Sequence, residues 1–110
     1  MRSLVEKASS GKPGGAFVLL GGKTAIAVSL TEETTDAVVA RMAALSEVAD
    51  LFEVRADFVL DLDLAALREA ATKPILFTCR PESEGGRWPD ADPAGRRALL
   101  RQAVEHGFDL

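Results

Sequence analysis

The chain has 110 residues, 47% apolar and 27% charged, with a formal net charge of −4, which describes one ordinary globular domain with a modest core. Scattered basic residues give no footprint for nucleic acid, and no stretch reaches the roughly 18 apolar residues of a membrane span. One cysteine, Cys79, excludes an internal disulfide and fits a reducing compartment. The polar, glycine-rich Ser9–Gly15 stretch leaves no signal-peptide core, so a cytoplasmic location with neither nucleic-acid nor membrane partners is expected.

Residues 1–22 read as a variable N-terminal segment. Ser9–Gly15 has the composition of a flexible loop or linker, Ala16–Leu20 that of a short strand, and Gly21-Gly22 that of a turn. Thr24–Leu30 follows as a buried strand. Thr31 is the expected cap of a helix with Glu32 and Glu33 in its first turn, and Val38, Val39, Met42 and Leu45 form its apolar stripe. A second strand is expected over Asp50–Phe58. Asp61-Leu62-Asp63 then caps a second helix with the stripe Leu64, Leu67, Ala70 and Ala71, which Lys73-Pro74 ends. A third strand, Ile75–Arg80, leads into a glycine-containing loop over Pro81–Asp92. Asp92-Pro93 marks the start of a third helix, because proline at the first helical position loses no useful hydrogen bond. Gly107 marks its end, and Phe108-Asp109-Leu110 opens a fourth strand.

This βαβαβαβ order implies parallel strands joined by helical crossovers, which suits a (β/α)8 barrel and an open doubly wound sheet alike. The side-chain alternation separates the two. Ile26, Val28 and Leu30, then Phe52, Val54, Ala56 and Phe58, then Ile75, Phe77 and Cys79 give each strand an apolar face for helix packing. The opposite face turns polar toward the strand C-termini, with Ser29, then Glu53, Arg55 and Asp57, then Thr78 and Arg80. A sheet covered by helices on both sides should be apolar on both. A barrel instead has a lumen whose C-terminal mouth is the usual active site, so residues 23–110 are expected to form the N-terminal part of a (β/α)8 barrel.

Such a barrel takes about 250 residues, and only about three and a half β/α units are present. A truncated sequence is the expectation, ahead of a dimer that closes a barrel.

Val28-Ser29-Leu30, Glu53-Val54-Arg55-Ala56-Asp57 and Phe77-Thr78-Cys79-Arg80, with Glu84-Gly85-Gly86 after the last, stand in order at or just beyond the predicted strand ends. On these anchors the chain, from about Lys23 to Leu110, resembles the N-terminal part of type I 3-dehydroquinate dehydratase, a lyase of the shikimate pathway. The resemblance implies dehydration of 3-dehydroquinate to 3-dehydroshikimate through a Schiff base between a lysine and the substrate ketone. A histidine moves the protons, and neither metal nor organic cofactor is used. It further implies that Glu53 and Arg80 contact substrate hydroxyls and that Ser29 lines the pocket. Arg55 belongs to the same binding set and keeps acidic neighbours ionised. Glu84 orients the catalytic histidine, and the full-length family protein admits a homodimer.

The family lysine and histidine lie on later strands, beyond Leu110. Lys23 and Lys73 precede their strands, Lys7 and Lys12 fall outside the recognisable barrel, and His106 ends a helix, so this chain alone is expected to be inactive. Cys79 reads as a small core residue, and Trp88 as a loop residue that either packs or closes over the mouth. The competing expectation is a non-catalytic half-barrel serving binding or assembly. A variant of the enzyme reading makes the chain a fragment of a fusion with shikimate dehydrogenase.

Overall fold

The structure, a computed structural model, describes residues 8–9, 15–20 and 23–110. Strands β1 (Ala8–Ser9) and β2 (Gly15–Leu20) pair antiparallel, and β2 pairs antiparallel with β3 (Lys23–Leu30) from Gly15↔Val28 to Leu20↔Lys23. The strand expected near Ala16–Leu20 is therefore present. Ser9 and Gly15, the two ends of the expected loop, belong to strands, while residues 10–14, Gly21-Gly22, Lys7 and Lys12 lie outside the described residues.

From β3 the sheet continues in parallel through β4 (Leu51–Arg55) to β5 (Ile75–Thr78), in chain order. Helices α1 (Thr35–Leu45), α2 (Leu64–Ala70) and α3 (Pro93–Glu105) follow the three parallel strands in turn. All three pack on one face. Leu30, Phe52, Val54, Ile75 and Phe77 share a single buried cluster with Val38 and Met42 of α1, Leu64 and Leu67 of α2, and Ala103 of α3. Each wholly buried side chain of this size contributes roughly 1.5–3 kcal/mol. The opposite face is apolar at its N-terminal end, where Ala25, Ala27 and Leu51 pack with Leu76, and polar at the other.

Several boundaries differ from expectation. Helix α1 starts at Thr35, and its cap is Thr34, whose hydroxyl accepts from the Ala37 N–H, instead of Thr31. The cause is non-local. The Glu33 carbonyl accepts the Leu60 N–H at 2.8 Å, and the Thr35 N–H donates to Asp61 Oδ1 at 2.7 Å. Glu32 and Glu33 thus lie ahead of the helix. Asp61 serves α1, leaving Asp63 alone to cap α2 through the Ala66 N–H. Strand β4 ends at Arg55, because Ala56–Phe58 curls into a 3₁₀ turn closed by Val59 N–H to Ala56 O at 3.2 Å.

The ladder of β5 stops at Thr78, although the alternation of burial persists through buried Cys79 and exposed Arg80. Helix α3 begins as expected, with Asp92 accepting the Gly95 N–H and Pro93 at the first position. Its end turns at Gly107, which has φ +86°. Beyond it Asp109 donates to Ile75 O at 3.2 Å and accepts from Phe77 N–H at 2.6 Å, so the chain has begun to pair in parallel along β5. Among the described residues no helix is long and apolar enough to cross a membrane.

Candidate active site

The polar end of the sheet is built by register. Ser29 lies directly opposite Glu53, and Thr78 lies opposite Arg55, diagonally across from Glu53. Three neighbouring strands thereby deliver two hydroxyls to one carboxylate. Ser29 Oγ donates to Glu53 Oε1 at 2.5 Å and Thr78 Oγ1 donates to Oε2 at 3.1 Å. Glu53 is only 4% exposed, so a buried acidic group is fixed in orientation on both oxygens.

Further along β4, at its last residue, Arg55 grips Asp57 with two parallel bonds, Nε to Oδ1 at 3.0 Å and Nη2 to Oδ2 at 2.7 Å. The Arg87 N–H adds a third bond, to Oδ2 at 2.9 Å. Burial pushes the Asp57 carboxyl up, but the Arg55 guanidinium and the backbone N–H groups of Arg87 and Arg80 outweigh it and hold the group below its ordinary value. The same hydrogen bond to Asp57 outweighs burial to raise Arg55. Phe58 leaves the expected core face and lies beneath both guanidiniums, with Arg55 Cζ 4.8 Å and Arg87 Cζ 4.1 Å from its centroid.

The segment after β5 folds back on itself. Pro81 and Trp88 pair at its base, and Glu82–Glu84 forms a 3₁₀ turn that ends on Gly85 at φ +87°. Gly86 is dictated by contact, since a Cβ there would sit 2.0 Å from the Arg80 carbonyl oxygen. This fold-back brings Glu84 and Arg80 together with Thr78 on a cleft of about 240 Å³, which Arg96, Leu100 and Leu110 also line.

Of the residues singled out from sequence, then, Ser29 and Glu53 are joined directly, and Thr78 links them to the cleft of Arg80 and Glu84. Arg55 stands apart, committed to Asp57. Cys79 faces the helices, and burial pushes its thiol up to about 11, which suits a core residue and not a nucleophile. Trp88 is anchored by Nε1–H to Asp92 O at 2.8 Å and packs against the core. His106 caps α3, with Nδ1 2.9 Å from Gln102 O. Among the described residues no group of three or more His, Cys, Asp or Glu is placed to hold a metal ion.

The sequence model of the type I 3-dehydroquinase family matches residues 26–110, from within β3 through all three helices. The chain belongs to this family. It is 42% identical over 65 residues to the chloroplastic bifunctional 3-dehydroquinate dehydratase/shikimate dehydrogenase of Arabidopsis thaliana, covering 56% of this chain and 11% of that protein. It is 30% identical over 103 residues to the pentafunctional AROM polypeptide of Komagataella phaffii, covering 87% of this chain and 7% of that one. A pentafunctional AROM polypeptide of Lodderomyces elongisporus is 35% identical over 74 residues, 60% of this chain and 5% of its own length. The chain therefore spans about a tenth or less of the curated relatives it matches.

Two residues of this dehydroquinase segment escaped the sequence reading. Thr78 reads as part of a polar strand face and of a family anchor without a role of its own, whereas the register that places it diagonally from Glu53 makes it a hydroxyl donor. Arg87 gave no signal beyond following the Gly85-Gly86 pair, and its contacts with Asp57, Phe58 and Glu33 all lie far off in sequence.

Proposed function

We propose that this chain is the N-terminal part of a (β/α)8 barrel that dehydrates 3-dehydroquinate to 3-dehydroshikimate, and that it carries the substrate-binding wall of the site. Sequential parallel order, helices on one face and a polar C-terminal end on the other support the barrel. The observation that carries the activity is the Glu53 carboxylate, oriented by Ser29 and Thr78 at the strand ends of a dehydroquinase segment.

In this reading Glu53 accepts hydrogen bonds from substrate hydroxyls, Ser29 lines the pocket beside it, and Arg80 meets a further hydroxyl. Arg55 serves the site by balancing Asp57. Glu84 orients and polarises the family histidine, and a family lysine forms the iminium that acidifies the neighbouring C–H bond. Both of those residues come from later β/α units. A cytoplasmic location and a homodimeric whole protein belong to the same proposal. That the parent chain is a fusion is a second reading, favoured by relatives that are bifunctional and pentafunctional.

The test uses borohydride trapping and the ultraviolet absorbance of the conjugated product. The isolated chain should neither turn over 3-dehydroquinate nor trap it, because Lys23 and Lys73 stand at the N-terminal ends of β3 and β5. Joined to its later β/α units, the protein should do both, and Glu53→Gln should lower kcat/KM by roughly 10²-fold, in the range of a lost oriented contact. Trapping by the isolated chain, or no turnover by the joined protein, would overturn the proposal.

A further inference from the structure

The Asp57 side chain is wholly buried, with 0% exposure. Two bonds run to Arg55 at the end of β4 and one comes from the Arg87 N–H, 30 residues on, with the Arg80 N–H also directed at the carboxylate. Arg87 sits in the fold-back that carries Glu84, whose base is closed by the Pro81–Trp88 pair and by Gly86 N–H to Pro81 O at 2.9 Å. Those base contacts are internal to the fold-back. They fix its shape, and Trp88, packed against the core, seats its base. The Arg87 N–H bond ties it to the chain just after β4, with the Arg87 guanidinium laid on Phe58 and bonded to Glu33 Oε2 at 3.1 Å.

We infer that Asp57 is a positioning residue: by accepting the Arg87 N–H it sets the fold-back bearing Arg80 and Glu84 against β4, which bears Glu53. The tie is a property of this chain, and only its effect on turnover rests on the dehydratase reading. Arg55 neutralises the buried carboxylate, so the ion pair and the tie are separable.

Two double variants separate them. Arg55→Met/Asp57→Asn and Arg55→Met/Asp57→Leu both remove the ion pair, but only Asn keeps an oxygen for the Arg87 N–H. Amide hydrogen exchange on the 110-residue chain should show Arg87 exchanging about tenfold or more faster in the Leu double than in the Asn double. The Val54 and Phe77 amides should match between them. Equal exchange at Arg87 overturns the inference. Should the Leu double not fold, Asp57→Asn against Asp57→Ala makes the same comparison with the same criterion.

In the joined protein the Leu double should lower kcat more than KM, the Asn double should rescue it, and Glu84→Gln should abolish the difference. Equal kcat in the two doubles overturns the positioning role. An inactive wild-type joined protein instead sinks the dehydratase reading and leaves the exchange result standing.

Discussion

Replacing Gly86 by alanine should damage this chain more than any surface change in the same loop. The added Cβ would lie 2.0 Å from Arg80 O, 2.4 Å from its carbonyl carbon and 2.5 Å from its Cβ. These are backbone atoms and a near-backbone carbon, and Arg80 O is itself held by the Trp88 N–H at 3.1 Å. Relief requires a shift of roughly 1 Å or more to reach ordinary contact. Such a shift breaks the Gly86 N–H bond to Pro81 O and the Arg87 N–H bond to Asp57. At about 1 kcal/mol for the neutral bond and about 1.5–3 kcal/mol for the charged one, the loss is about 2.5–4 kcal/mol. That is a large share of the roughly 5–15 kcal/mol typical of a domain, and it lowers Tm by about 10–30 °C. Gly85→Ala is the internal control: nothing lies within 4 Å of its Cβ, so it carries only the left-handed backbone cost of roughly 1–2 kcal/mol. Urea unfolding followed by circular dichroism gives both values. A Gly86→Ala variant no less stable than Gly85→Ala would refute the reasoning.

Three further outcomes are expected. Thr34→Ala should cost about 1 kcal/mol as the loss of a helix cap, whereas Thr31→Ala should stay within about 0.5 kcal/mol; equal costs in denaturant melts would contradict the cap assignment. Cys79, buried and with its thiol pushed up to about 11, should react with a disulfide reagent only as the chain unfolds, so native labelling as fast as labelling in urea would be contrary. Asp57 is held below its ordinary value in the folded chain, so the folded state binds fewer protons there than the unfolded one. Its stabilising contribution is full above the unfolded carboxylate value and is lost as pH falls through the depressed one. Between about pH 6 and about pH 3 the wild type should therefore lose more stability than Asp57→Asn, and parallel slopes would count against it.

What the sequence disclosed and what it withheld divide by range. The start of α3 was legible because Asp92-Pro93 acts within one turn, and its end because Gly107 takes a conformation few other residues accept. The polar strand ends were legible because alternation with period two is local, and Ser29, Glu53 and Thr78 fall where it puts them. The cap of α1 was not legible. Thr31 and Thr34 both satisfy the local pattern, and the choice is made by Leu60 and Asp61, which no local rule connects to them. The end of β4 was hidden differently: the polar alternation of Glu53, Arg55 and Asp57 continues in the sequence past the last strand residue, into a 3₁₀ turn across which Arg55 and Asp57 pair. The tie from Arg87 to Asp57 spans 30 residues and uses a backbone N–H, a group that every residue but proline carries.

The parallel sheet lies in the same order as the chain, and Asp109 extends it on the same side. Partners on neighbouring parallel strands are one β/α unit apart, as Ser29 and Glu53 are at 24 residues. Each strand from β4 onward thus meets its partner already made when it leaves the ribosome, with one crossover helix between them. Synthesis and assembly run in the same direction, so residues 23–110 can be laid down unit by unit on a growing edge.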